Sequence, residues 1–264
     1  MSAATDRIPA RTVFAALLRR DVHVAARELP SFLLRSTLQP ILFVTVFGYL
    51  LPKMGFVQHD YAAALLPGIL GVSLALSSLQ SVVLPLSVDF GWSREIEDRL
   101  LAPVPLWVVA FEKVVSGVLQ GLVAALFVLP IARLIMGPIA GLNVAHFSIV
   151  LGVTLLGATA FSTLGLVLGT AIRPEQIGLM FTLIIAPMMF FGCAYYPWKG
   201  LAVAPVIQWL VLVNPLVYVS EGLRGALTPS LPHMHLGWVT AMLLVMTVLF
   251  WRIGLRTFLR RAVG

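Results

Sequence analysis

AYYPWKGLAVAPVIQWLVLVNPLVYVSEGLRGALTPSLPHMH, residues 194–235, decides how many times this chain crosses a membrane. Its centre, around 201–219, is apolar enough to imitate a span. Pro205 and the pair Asn214-Pro215 interrupt it. An internal proline removes one helix hydrogen bond and clashes with the preceding turn, so the stretch predicts two short helices rather than one long one. The surrounding chain sets the scale of the question. It has 264 residues, 59% hydrophobic and 11% charged, whereas soluble domains run nearer about 25% charged. A hydrocarbon core of roughly 30 Å needs about 20 apolar residues per helix. Apolar runs fall at 31–51, 63–88, 106–136, 147–172, 177–193 and 236–256. They are continuous rather than alternating, which excludes a transmembrane β-barrel.

Charge placement chooses between six spans and seven. With six, both termini share one side with segments 89–105 and 173–176. That side then holds Arg7, Arg11, Arg19, Arg20, Arg27, Arg35, Arg94, Arg99, Lys113, Arg173, Arg252, Arg256, Arg260 and Arg261. Only Lys53, Arg133, Lys199 and Arg224 fall on the other. A seventh span would carry the Arg252–Arg261 cluster outside, against the rule that basic residues stay cytoplasmic. The expected fold is therefore an all-α polytopic membrane protein, a single transmembrane domain over 1–264. Six transmembrane helices are joined by an extracellular re-entrant helical hairpin (194–235) between helices 5 and 6. Both termini are cytoplasmic, in the inner membrane. The net charge of +7 is then read as orientation, and no nucleic-acid partner is expected.

Residues 9–30, ahead of the first span, form an amphipathic interfacial helix. At 100° per residue Val13, Phe14, Leu17, Leu18, Val22, Val24, Ala25 and Leu29 share one half, and Arg19, Arg20, His23 and Arg27 the other. Such a helix lies on an anionic membrane face. Asp21 and Glu28 project from the apolar half, so part of that face is expected to meet protein.

Catalytic chemistry is thin. The chain has no HExxH, no GxSxG, no spaced Cys/His cluster and no GxxxxGK[ST] phosphate loop, so it cannot cradle ATP phosphates alone. No metal site is expected, and the lone Cys193 is read as a packing residue. Within the second span, Ser73, Ser77, Gln80, Ser81 and Ser87 lie within about 120° of one face, which should meet another helix or an aqueous path rather than lipid. Gly117 and Gly121, and again Gly165 and Gly169, have the four-residue spacing that lets helix backbones approach closely. The densest charge is in GWSREIEDRLLAPVPLW, residues 91–107. Arg94, Glu95, Glu97, Asp98 and Arg99 form a short polar helix, with Glu95 and Arg99 at a favourable i,i+4 spacing. Leu100 and Leu101 follow, and Pro103 and Pro105 stop it. Acids, paired leucines and two prolines together suit a rigid cytoplasmic knob that docks on a partner.

These residues resemble the permease subunit of ABC-2 type transporters, of the kind that export drugs, polysaccharides and glycolipids. Arg94, Glu95, Leu100, Leu101, Pro103 and Lys113 fall on one of the family's motifs, although Ile96-Glu97 and Glu112 stand where the family usually has a glycine-threonine pair and a glycine. Asn214, Pro215, Leu216, Tyr218, Glu221 and Arg224 fall on a second, an Asn-Pro-Leu-x-Tyr-x-x-Glu-x-x-Arg run before the last span. The resemblance implies a half-transporter that pairs with a second permease subunit and with separate ABC ATPase subunits. ATP and Mg would bind those subunits, and no cofactor this chain. It also implies that 91–105 is the coupling helix seated in the ATPase, and that Asn214, Pro215, Tyr218, Glu221 and Arg224 belong to an outer gate or hairpin. The cargo would be lipid-like, glycan or drug-like. Two other readings compete: an intramembrane enzyme acting on lipid substrates, and a non-transporting scaffold or channel with no ATPase partner.

Overall fold

A computed structural model describes residues 10–57, 61–91, 105–137 and 146–263, and among them the regular structure is helical throughout. Helix α1 covers Ala10–Arg27. Helix α2, Leu29–Lys53, carries Pro30 in its first turn, where the missing N–H costs nothing. It then widens into a π-helical segment over Val44–Leu50, one turn after the internal Pro40. Helix α3 is Tyr61–Gly91 and α4 is Leu106–Met136, each 31 residues long. Pro105 and Gly137 delimit α4, the glycine at φ 75°, a backbone conformation that side chains disfavour. Helix α5 is Phe147–Ala171. After an extended Ile172, Pro174 opens α6, Pro174–Phe190.

The stretch from 194 to 235 does break as its prolines dictate. A 3₁₀ turn over Trp198–Val203 leads into α7, Pro205–Val213, and α8, Pro215–Leu227, which meet at 100°. Asn214 sits at the corner and caps α8 by accepting from the Leu216 amide. That geometry is common to a broken span and a re-entrant segment. Helix α9, Leu236–Val263, closes the chain.

Five of these helices, α2, α3, α4, α5 and α9, are long and apolar enough to cross a membrane. Helix α6, at 17 residues or about 25 Å, falls just short of the hydrocarbon thickness. It also begins and ends three residues earlier than its apolar run suggested. Helix α3 is the hub: 89% of its apolar window is buried inside the protein, against 17% for α9 at the periphery. Lipid offers apolar side chains nearly what the protein interior does, so close approach must hold these helices together. The spaced glycines supply it. A Cβ on Gly165 would lie 2.9 Å from the Leu79 carbonyl oxygen, and one on Gly169 3.2 Å from the Val83 Cα. Closest to backbone is Gly68, where a Cβ would fall 1.8 Å from the Ala194 carbonyl oxygen; that contact pins the start of the 194–235 stretch against α3.

Contacts sort the helix ends into two sets. At one end α1 lies against α4, Phe90 of α3 against Phe258 of α9, and Gly91 against Pro174. We call this the inner end. At the other, Tyr61 and Ala64 of α3 meet Tyr195 and Arg224 of the 194–235 stretch. We call this the outer end.

Candidate functional site

The proposed coupling residues Arg94, Glu95, Glu97, Asp98, Arg99, Leu100, Leu101 and Pro103 lie outside the described residues. Their two stems do not. The entering stem ends at Phe90-Gly91. The Phe90 ring packs edge-on against Phe258 at 5.6 Å, and the Arg261 guanidinium stands 4.9 Å from its centre. One nitrogen of Arg261 also donates to the carbonyls of Thr170 (2.9 Å), Ile172 (3.3 Å) and Gly169 (3.5 Å). These are the unsatisfied carbonyls at the C-terminus of α5, where a cation is electrostatically favoured. Thr170 and Thr257 share a further hydroxyl bond of 2.6 Å. Arg261 thus joins α3, α5 and α9 beside the mouth of the loop.

The leaving stem is held from α1. Lys113, on the second turn of α4 and 3% exposed, donates to Asp21 at 2.6 Å. Glu112, fully buried, stands 4.0 Å from the same ammonium. Phe14 packs on Phe111 at 5.7 Å, and Phe111 in turn on Trp251. The acid on the apolar half of α1 therefore does meet protein, as its position suggested. Val22 and Val24 stay exposed on the same helix; Glu28, also read as facing protein, is exposed too.

At the outer end the second set of candidate residues converges. Glu221 and Arg224, both fully buried, form an ion pair one helical turn apart on α8. Neither depends on the other alone. The Glu221 carboxylate also accepts from the backbone amides of Trp198 and Met234, each at 2.8 Å. Arg224 donates to the carbonyls of Cys193 (3.0 Å) and Ala64 (3.2 Å). Cys193 holds a left-handed conformation, φ 51°, which turns its carbonyl toward the guanidinium. Asn214 donates to the Met188 carbonyl at 2.6 Å, and the buried Tyr218 hydroxyl to that of Leu212 at 2.7 Å. Pro215 is buried at the same corner. Five stretches of backbone, from α3, α6, the 193–198 turn, α7 and the approach to α9, thus hang on side chains of Asn214 and α8. A charge removed from water is tolerated only with this degree of satisfaction.

The serine stripe divides. Ser73 and Ser77 are buried within the helix bundle, while Gln80 and Ser81 sit at its edge. Ser81 donates to Gln120 of α4 at 2.9 Å, and Gln120 to Ser116. The first two therefore face neighbouring helices of this chain, and the second two bridge α3 to α4.

Sequence reasoning missed three partners: Asp21 for Lys113, Arg261 as the cap of α5, and the Trp198 amide for Glu221. Only the first left a signal, an acid on an apolar helix face.

A family model described as ABC-2 type transporter matches residues 12–228. The inner membrane transport permease YadH of Escherichia coli strain K12 is 29% identical over 219 residues, 81% of this chain and 80% of that protein. YadH of Shigella flexneri matches with the same identity and coverage. The ycf38 protein of Cyanophora paradoxa is 30% identical over 223 residues, 79% of this chain and 72% of that one.

Proposed function

This chain belongs to the ABC-2 type transporter family, and from that premise we propose that it is the transmembrane subunit of an ATP-driven exporter in the cytoplasmic membrane. Two permease subunits, identical or paired, assemble with two separate ATPase subunits that bind ATP and Mg. Six helices span the membrane, α2 to α6 and α9, with both termini cytoplasmic and the inner end of the bundle facing the cytoplasm. The α7–α8 pair is re-entrant at the outer face. The cargo is a lipid-like, glycan or drug-like molecule.

The observation that carries this reading is the way both stems of segment 92–104 are tied to other helices. A loop needed only for solubility has no use for a part-buried Lys113–Asp21 pair at one stem and the Arg261 cap at the other. A coupling helix does, because a push on it must move spans rather than bend a loose strand. Closure of the ATPases then drives the inner ends of α3 and α4, and the change of state requires contacts that differ between the two positions. The missing phosphate loop in this chain fits a division of labour in which the energy arrives from outside it.

The test is replacement of Glu95 and Leu101 by alanine in the full complex. Loss of ATPase co-purification, or loss of ATP-driven transport with binding retained, is the expected result. Unchanged co-purification and unchanged transport would remove 91–105 from the coupling role.

A further inference from the structure

The inner end of α9 has two faces. Phe258 and Arg261 turn toward the bundle, where Arg261 caps α5. Arg252, Arg256 and Arg260 are exposed on the other side, one every four residues. Among the described residues no carboxylate pairs with any of the three.

This basic face does not begin a new surface. At 100° per residue, Trp238, Val245, Leu249, Arg252, Arg256 and Arg260 fall within about 80° of one another along α9. Trp238 is 52% exposed, Val245 59% and Leu249 50%, so the upper part of the stripe is the face that α9 offers to acyl chains. The same line then changes from apolar to cationic at Arg252. Spacing along the helix matches a bilayer. At 1.5 Å per residue, Arg252 lies about 21 Å from Trp238, Arg256 about 27 Å and Arg260 about 33 Å. Tryptophan prefers the headgroup level and the hydrocarbon core is roughly 30 Å thick. With Trp238 at the outer interface, Arg256 and Arg260 arrive at the opposite phosphate layer, and Arg252 reaches it by extending its side chain.

We propose that Arg252, Arg256 and Arg260 form a headgroup site for anionic phospholipid in the leaflet at the inner end of the bundle. A guanidinium matches a phosphate with two parallel hydrogen bonds. Three unpaired cations on a lipid-facing line favour a headgroup that carries net negative charge over a zwitterionic one. An acidic protein surface is the less suited occupant, because the stripe is continuous with the acyl-chain face above it. The site rests on the reading of α9 as a span and not on the ATPase partner. Its effect would reach the loop stem through Arg261, one residue away on the opposite face.

The test uses the full-length chain in detergent, with native mass spectrometry to count retained phosphatidylglycerol against phosphatidylcholine. The wild type is expected to prefer phosphatidylglycerol. The triple variant Arg252→Gln, Arg256→Gln, Arg260→Gln is expected to lose that preference by about tenfold or more, and the triple lysine variant to keep most of it. If the glutamine triple variant does not accumulate, Arg256→Gln alone is expected to lower the preference about fivefold. An unchanged preference in either glutamine variant overturns the proposal. So does loss of ATPase co-purification with lipid preference intact, which would make the face a protein contact. Release of the wild-type chain from membranes by alkaline carbonate would instead refute the span reading itself.

Discussion

The two ends of the bundle use ion pairs shielded from solvent in opposite ways, fully buried at the outer end and part-buried at the inner. At the outer end Glu221 and Arg224 are neighbours on one helix, and the carboxylate and one terminal guanidinium nitrogen also bond backbone amides and carbonyls of other segments. Backbone groups cannot swing away, so the hairpin and the start of α3 form one body. At the inner end Lys113 and Asp21 lie 92 residues apart on two different helices, and the bond between them is made side chain to side chain. Such a pair can slide or exchange partners, with Glu112 already 4.0 Å away as a second acceptor for Lys113. The contrast teaches where motion is cheap. In the function proposed above, a signal entering at 91–105 would meet elements that can shift, and would pass along long helices to an outer end that moves as a unit.

The largest expected effect breaks the outer body. Glu221→Ala leaves Arg224 buried without its counter-charge, a loss of about 3–5 kcal/mol. Thermal unfolding in detergent should show it as a steep fall in midpoint. Replacing both residues by methionine should recover only part, because the Trp198 and Met234 amides and the Ala64 and Cys193 carbonyls lose partners too. Full recovery would mean that the pair serves only itself. Next comes Gly68→Ala, which drives a methyl group into the Ala194 carbonyl and should cost about 2–3 kcal/mol by overpacking. Since the obstacle is backbone, little relief is available, and an unaffected midpoint would separate the hairpin from α3.

The inner end should respond less in stability and more in coupling. Asp21→Asn should lower stability by about 1.5–2 kcal/mol, at the mild end for a charged hydrogen bond because Glu112 is near. ATPase activity uncoupled from transport is the signature to measure, and exchange of the two residues (Asp21→Lys with Lys113→Asp) should restore it. Loss of stability alone, with coupling intact, would erase the distinction between the two ends. Smallest is Arg261→Lys, which keeps the charge but reaches fewer of the three carbonyls; about 1 kcal/mol is expected.

The same contrast explains what could be read from the sequence. Pro205 and Asn214-Pro215 announced the break between α7 and α8, since a missing N–H and a cap are local chemistry. The apolar run 106–136 coincides with α4, Leu106–Met136. The outer pair was legible because its members sit one turn apart. Helix α6 slipped by three residues against the apolar run 177–193, as Pro174 opens a helix ahead of that run and left-handed Cys193 follows its end. The inner partnerships left almost no trace. Asp21–Lys113 and Arg261–Thr170 join residues about 90 positions apart, and no periodicity within one helix encodes a partner on another. The serine stripe showed that α3 needed polar company without saying that only Ser81 would find it, at Gln120 of α4, while Ser73 and Ser77 are simply packed inside the bundle.

The central claim, that 91–105 receives motion from a cytoplasmic ATPase, is tested most directly by thiol labelling at one position. Glu95→Cys is introduced in the full complex, with buried Cys193 as a silent background, and membrane-impermeant maleimide is applied to inside-out vesicles. Rapid labelling is expected in vesicles that lack the ATPase, and strong protection when it is present. Equal labelling in both, or labelling only from the opposite face of the membrane, would contradict it.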